Sequence, residues 1–262
     1  MRLPGSTHRP RLDLLLPAAL LLAGTATFLG GGRRHPHIND SLGPIGSDDF
    51  YLAFARTIVH IPNWETMHAL ILAGPVLWAL GAAAIVRLLP GRVSTLGEVG
   101  RAALLLAALT WTVAFVFDGF IAPRLAGPIV GAASAAELSV GLAPFRINQY
   151  VVARMGMVSL VLIGGAVTAL ALALLGAARA ASWRAIVGAS GLLVGLWPLA
   201  GAARGDFAPG PFTSPYWTPM ALAIGAWFAM LASAVPALGR AREPARVVPV
   251  GPADPLHAEA VG

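Results

Sequence analysis

The sequence predicts an all-α integral membrane protein built as a bundle of six transmembrane helices. Hydrophobic residues make up 57% of the 262 residues and charged residues only 11%, whereas about a quarter of the residues in a soluble domain are charged. The apolar residues gather in six long runs, separated by segments rich in glycine, proline and arginine. In lipid, each run satisfies its own backbone hydrogen bonds by forming a helix.

Composition also excludes several classes of function. There is no cysteine, which rules out disulfides, thiolate metal sites and cysteine nucleophiles. The net charge of +6 comes from arginines that lie between the apolar runs and in the tail, so we interpret it as a signal for membrane orientation. The lipid bilayer is therefore the expected partner, and nucleic acid is not. Neither a phosphate-binding loop nor an HExxH or GxSxG motif occurs.

The first span is predicted at residues 14–30, after a polar cytoplasmic segment at residues 1–13. This run is near the shortest length that crosses a bilayer, and Pro17 lies in its first turn. A cleaved signal peptide, with small residues at positions 24–26, is the alternative. A retained anchor is favoured because the rest of the chain is itself polytopic.

A long external loop at residues 31–63 follows, and we expect it to carry a short amphipathic helix. Ser47 is predicted to cap this helix, with Asp48 and Asp49 stabilised in its first turn by the helix dipole. The helix should lie on the membrane surface and end at Pro62.

The second and third spans are predicted at residues 64–89 and 102–121. Gly74 and Pro75 lie near the middle of the second span and should kink it, so a neighbouring helix must satisfy the carbonyl that the proline leaves free. Asp118 lies near the outer end of the third span.

A second external loop is predicted at residues 122–149, with a short helix around residues 134–140. The last three spans are predicted at residues 150–175, 185–200 and 217–238. Residues 239–262 are polar and rich in proline, which is typical of a disordered tail.

The distribution of arginine predicts the orientation. If the N-terminus is cytoplasmic, most arginines outside the helices fall on the cytoplasmic side, as the positive-inside rule requires. We therefore expect a multi-pass protein of the inner (plasma) membrane with both termini in the cytoplasm. Arg33 and Arg34 lie on the outer side and oppose this assignment.

Four ionisable residues are expected to gather in the outer layer of the bundle. His68 and Arg154 each lie about one turn inside a span, Asp118 lies near the end of another, and Glu65 shares a helix face with His68. Because a charge at the centre of a transmembrane helix costs about 2.5–3.5 kcal/mol, such groups need partners. One interpretation is structural, an Asp118–Arg154 ion pair with His68 hydrogen-bonded to a neighbour.

A metal site is a second interpretation of the same residues. Glu65 and His68 have the Glu-x-x-His spacing found in metal-binding helical bundles. His60 and Asp118 would complete a ligand set suited to zinc or iron.

The sequence permits two further metal arrangements. His35, His37 and His60 could together hold a metal ion in the loops, although a His-Pro-His segment is more often simply solvated. A b-type haem would use His68 as one axial ligand and Met155 or Met157 as the other.

Small residues form seams on the last two spans. Gly191 and Gly195 are four apart in the fifth span, and the sixth span has a row of small residues at helical spacing, namely Ala221, Gly225, Ala229 and Ser233. Such seams allow helices to approach closely, either within one chain or in a homo- or hetero-oligomer.

Two functions follow from the sequence. The favoured one is a non-catalytic membrane component whose outer-leaflet polar pocket binds a small ligand, a lipid or a partner subunit. The alternative is a metal- or haem-dependent membrane enzyme that uses Glu65, His68 and Asp118. A transporter ranks third, because transport sites lie near the midplane of the membrane.

Overall fold

The computed structural model describes residues 12–36, 42, 44–89, 91, 93–178, 182–207, 212 and 214–241. Within these residues the chain is helical and contains no strand, which confirms the predicted all-α class. The helices are α1 (Leu12–Gly32), α2 (Asp48–His60), α3 (Trp64–Val86), α4 (Val93–Val116), a π-helical turn (Phe117–Ile121), α5 (Ala122–Val130), α6 (Ala135–Gly176), α7 (Trp183–Arg204) and α8 (Trp217–Ala241).

Six helical segments are long and apolar enough to cross a membrane: α1, α3, α4 with its continuation through the π-helical turn into α5, α6, α7 and α8. Each packs against the segment before and after it, and α8 packs against α1, so the six form a closed ring. Neighbours in the ring are antiparallel. Leu12 and Ala241 therefore lie at one end of the bundle, and we call the opposite end, where α1 finishes and α3 begins, the site end.

Glycines allow the closest helix crossings in this ring. A Cβ atom at Gly24 of α1 would lie 2.8 Å from the carbonyl oxygen of Gly74 in α3, and a Cβ at Gly164 of α6 would lie 2.8 Å from that of Gly195 in α7. A Cβ at Gly191 would lie 2.6 Å from Nε1 of Trp227. The predicted seam of the fifth span therefore packs inside the chain.

The interior also satisfies the carbonyl that Pro75 leaves free. Pro75 lies inside α3 and cannot donate to the carbonyl of Ile71, four residues earlier. Instead, Nε1 of the buried Trp111 on α4 donates to that carbonyl oxygen at 3.2 Å. A neighbouring helix thus makes the hydrogen bond that the Gly74-Pro75 pair was expected to require.

The predicted amphipathic helix forms as α2. The Ser47 hydroxyl accepts a hydrogen bond from the backbone N–H of Phe50 at 3.1 Å, and α2 ends at His60, before Pro62. Its buried face carries Phe50, Phe54, Ala55 and Ile58 and packs against α5 and α6. An ion pair between Asp48 and Arg146 also joins α2 to α6.

The prediction of a long loop at residues 122–149 is wrong, because most of this segment is helical. Residues 122–130 form α5, and α6 begins at Ala135, where the Ser134 hydroxyl accepts from the backbone N–H of Glu137 at 3.2 Å. The glycines and prolines of this segment suggested a loop, but the apolar side chains of Leu142 and Phe145 are buried, and this packing outweighs propensity. With 42 residues, α6 is about 63 Å long, roughly twice the thickness of the hydrocarbon core.

Several other predicted boundaries shift. Helix α4 begins at Val93 rather than at residue 102, and Arg101 pairs there with Glu98 at 2.5 Å. Helix α8 extends to Ala241. Residues 1–11 and 242–262 lie outside the described residues, so the predictions for the N-terminal segment and for the tail are not tested beyond these helices.

Candidate metal centre

Three ionisable side chains meet at the site end. His35 lies in the turn after α1, His68 lies in the second turn of α3, and Asp118 lies in the π-helical turn. The Nε2 atom of His68 is 3.1 Å from Oδ2 of Asp118, and Nε2 of His35 is 3.8 Å from the same oxygen. The ligand atoms of all three lie within 4.8 Å of one another. We call this group the His35–His68–Asp118 cluster.

The π-helical turn determines where Asp118 lies. A π-turn inserts one extra residue into an α-helix, and such turns are frequent at functional sites. Nε1 of Trp64 donates to the backbone carbonyl of Asp118 at 2.9 Å. The next residue is Gly119, at which a Cβ would overlap the Cβ of His68. The absence of a side chain at Gly119 therefore lets α3 approach closely enough for His68 to reach Asp118.

Both imidazoles are held by their Nδ1 atoms. Nδ1 of His68 lies 2.8 Å from the carbonyl oxygen of Trp64, and its ring stacks on the Trp64 indole with centroids 4.4 Å apart. Nδ1 of His35 lies 2.9 Å from the carbonyl oxygen of Pro36. His68 is fully buried and Asp118 is 5% exposed, so the two spanning members of the cluster are shielded from water.

These hydrogen bonds have a chemical consequence. A carbonyl oxygen can only accept, so each Nδ1 must carry a proton, and in a neutral imidazole Nε2 is then an acceptor. An ionised carboxylate is also only an acceptor. Three acceptor atoms that face one another need a cation between them, either an added proton or a metal ion. Oδ1 of Asp118 is buried and has no hydrogen-bond partner within the described part of the chain, so the carboxylate also has unused acceptor capacity.

The donor set matches that of metal sites with an open position. Two histidines and one carboxylate are the ligands of many catalytic zinc sites and of non-haem iron sites. With metal–ligand bonds of about 2.0–2.2 Å, neighbouring ligand atoms of a tetrahedral site lie about 3.3 Å apart. The separations of 3.1 and 3.8 Å between the histidine Nε2 atoms and Oδ2 of Asp118 are close to this value, and the whole set lies within 4.8 Å. A hydrogen bond from the second ring nitrogen of each histidine to a carbonyl is also the usual support of a metal ligand.

Two cavities adjoin the cluster. The larger, of about 400 Å³, lies between α1 and α8 and has aromatic walls that include Phe28, Phe115 and Trp217, with His35 in its lining. The smaller, of about 160 Å³, lies between α2 and α6 and is lined by both His35 and Asp118. Both cavities therefore reach the cluster at His35, and the smaller one also reaches it at Asp118.

The structure brings together only part of the predicted metal set. His68 and Asp118 are in contact, whereas Glu65 and His60 are exposed and lie outside the cluster. Nδ1 of His60 instead lies 2.7 Å from the carbonyl oxygen of Arg56 in its own helix. The buried stripe of α3 runs through Trp64, Met67, His68 and Ile71, and Glu65 lies beside that stripe.

The expected Asp118–Arg154 ion pair is not formed. Among the described residues, no carboxylate lies within 4 Å of the Arg154 guanidinium, which instead packs over the Tyr150 ring, 4.9 Å from its centroid. Arg154 and Asp118 do line the same cavity. The Asp118 carboxylate instead lies beside the two histidines.

His35, rather than Glu65 or His60, joins His68 and Asp118 in the cluster. Its sequence neighbours suggested a loop-based site with His37 and His60, but His60 lies elsewhere and His37 lies outside the described residues. A usable signal was that His35 follows the end of the first span, at the same membrane surface as His68. The contact itself depends on the close packing of α1 and α3, where a Cβ at Gly31 would lie 2.8 Å from the carbonyl oxygen of Met67.

The structure does not support a haem at His68. An axial ligand needs space for the porphyrin at Nε2, but Asp118 occupies that position at 3.1 Å and the Trp64 indole covers one face of the ring. Met155 and Met157 are partly buried and pack against the hydrophobic core.

The fold and the composition define the class of protein, a multi-pass membrane protein. Beyond that class, no protein-family model, no curated protein and no solved structure matches this chain.

Proposed function

We propose that this protein binds one zinc or iron(II) ion through His35, His68 and Asp118, and that it acts as a metal-dependent membrane protein. The observation that carries the proposal is the inward orientation of two Nε2 acceptors and one carboxylate, with both Nδ1 atoms bound to carbonyls. With the orientation that the arginines predict, this centre faces the outer side of the plasma membrane.

Three protein ligands would leave at least one coordination position for water or a substrate. A metal ion held in this way supplies a Lewis acid and lowers the pKa of a bound water molecule. The cavities beside His35 and Asp118 give a substrate access to that position. This combination supports an enzyme in preference to a purely structural metal site, which would be closed by four protein ligands.

Metal analysis of the purified protein tests the proposal. After chelator treatment and reloading with Zn²⁺ or Fe²⁺ in detergent, mass spectrometry of the eluted metal should give one ion per chain. His35→Gln, His68→Gln and Asp118→Asn should each weaken binding at least tenfold. His60→Gln and Glu65→Gln are matched controls, because both side chains are exposed and lie outside the cluster, and both should bind as the wild type does.

Two results would overturn the metal proposal. One is a wild-type chain that takes up neither ion at micromolar concentration. The other is equal loss of metal in the cluster variants and in the two controls, which would indicate adventitious binding. Without a metal, the cluster would hold a proton and serve as an imidazolium–carboxylate bridge between the turn after α1, α3 and the π-helical turn.

A non-catalytic component with a ligand pocket is the second candidate function, and the larger cavity favours it. Its volume of about 400 Å³ lies within the range of small-molecule pockets, about 300–1,000 Å³. A small molecule or lipid that co-purifies in equal amounts with the wild type and with Asp118→Asn would support this function over the metal-dependent one.

A further inference from the structure

The smaller cavity is lined by ionisable and amide side chains. It lies between α2 and α6, with His35 and Asp118 in its lining together with Gln149 and Arg154. We propose that it binds a small carboxylate ligand, held between Arg154 and the open coordination position of the metal ion. This inference rests on the proposed metal centre and names the class of ligand that the centre would take.

The size of the cavity limits the ligand. Its volume is about 160 Å³, and a water molecule occupies about 30 Å³ in the liquid, so the cavity holds the equivalent of about five water molecules. A carboxylate with four to six non-hydrogen atoms fits this space. A lipid chain does not, which separates this cavity from the larger one between α1 and α8.

The hydrogen-bond donors on α6 suit an anion. Among the described residues, three other arginines already form ion pairs with carboxylates: Arg146 with Asp48, Arg101 with Glu98, and Arg204 with Asp206. Arg154 has no such partner there, and its guanidinium packs over the Tyr150 ring, a contact that does not use its N–H groups as hydrogen-bond donors. The planar fork of arginine matches the two oxygens of a carboxylate.

Gln149 supplies a second donor. Its Nε2 atom is buried and has no hydrogen-bond partner among the described residues, although Gln149 lines the cavity. An unpaired buried amide is destabilising, and a ligand oxygen that accepts from this group would remove that cost.

The charge balance also favours an anion. Two neutral histidines and one carboxylate leave a divalent metal ion with a net charge of +1, and the guanidinium adds another positive charge at the same cavity. A monoanion that contacts both would neutralise part of this charge. Neutral ligands of the same shape lack this charge attraction.

Cobalt(II) provides a spectroscopic test, since it replaces zinc and its visible spectrum reports coordination. The protein in detergent is loaded with Co²⁺, its metal content is measured, and acetate is added as the probe. Acetate should shift the visible bands with saturation, and acetamide, a neutral molecule of the same shape, should not. Arg154→Gln should weaken acetate binding at least tenfold with an unchanged Co²⁺ content. Arg124→Gln, at an exposed arginine on α5 outside the cavity, should bind acetate as the wild type does.

The outcomes separate the two proposals. A chain that takes up no Co²⁺ overturns the metal centre and this inference together. Two results with a chain that takes up one Co²⁺ overturn the carboxylate site alone. One is an equal shift of the visible bands with acetate and with acetamide. The other is equal binding of acetate by Arg154→Gln and Arg124→Gln. Sodium chloride at matched ionic strength excludes a general effect of salt.

Discussion

At the scale of single residues, directional hydrogen bonds set the orientation of the side chains in the His35–His68–Asp118 cluster. Each imidazole is fixed by a backbone carbonyl at Nδ1, so the acceptor at Nε2 cannot turn away from Asp118. The neighbouring Oδ1 of Asp118 is buried, and no residue that the structure describes donates a hydrogen bond to it. Because a buried unpaired acceptor is costly, this arrangement is easier to explain as a cation site than as simple packing.

The partner of Asp118 can be identified by a double-mutant cycle in the metal-free protein. Asp118→Asn and His68→Gln should be coupled by about 1 kcal/mol or more, because their side chains are in contact. Asp118→Asn and Arg154→Gln should be additive within about 0.5 kcal/mol. Thermal unfolding in detergent of the wild type, the single mutants and the double mutants measures both couplings. Strong coupling of Asp118 to Arg154 instead of His68 would contradict the observed pairing.

At the scale of secondary-structure elements, the π-helical turn is the decisive feature. It interrupts a continuous helical segment of 38 residues, Val93–Val130, at the point where that segment passes α3. The extra residue places the Asp118 carboxylate inside the bundle and Gly119 against His68. A regular α-helix through the same residues would turn the carboxylate to another face, since each residue adds about 100°.

Gly119→Ala should therefore damage the site. The new methyl group would overlap the Cβ of His68 and push α3 and the π-turn apart, a type of overpacking that costs about 1–3 kcal/mol. We expect a lower melting temperature and metal affinity reduced at least tenfold. Gly127→Ala is the matched control, because a Cβ there meets no atom within 4 Å. Equal metal affinity in Gly119→Ala and the wild type would show that the approach of α3 is not limiting.

At the scale of the whole molecule, α1 packs as part of the bundle. It closes the ring between α3 and α8, and the Thr25 hydroxyl contacts both neighbours: it accepts from Nε1 of Trp78 and donates to the carbonyl of Gly225. The turn after α1 supplies His35 to the cluster. A chain cleaved after residue 26 would lose this packing, so we expect α1 to be retained.

The orientation of the chain in the membrane and the retention of α1 can be tested together. Because the chain has no cysteine of its own, a single introduced cysteine is the only thiol that can be labelled. Ala133→Cys, between α5 and α6, should react in whole cells with a membrane-impermeant maleimide. Thr95→Cys, at the opposite end on α4, should react only after the membrane is opened. Both positions are exposed. The intact mass of the labelled protein should include residues 14–30. The reverse labelling pattern would place the metal centre in the cytoplasm.

The sequence by itself determined the membrane class, the six apolar segments and the capped helix after Ser47, because hydropathy and capping are local properties of the chain. It also indicated that the few ionisable residues gather near one surface. Only the tertiary structure decided which of them meet. His35 reaches the cluster because α1 packs against α3, Asp118 turns inward at a π-helical turn, and Glu65 lies just outside the buried stripe. These outcomes depend on how the helices pack and rotate, and spacing within one helix does not encode the position of the next.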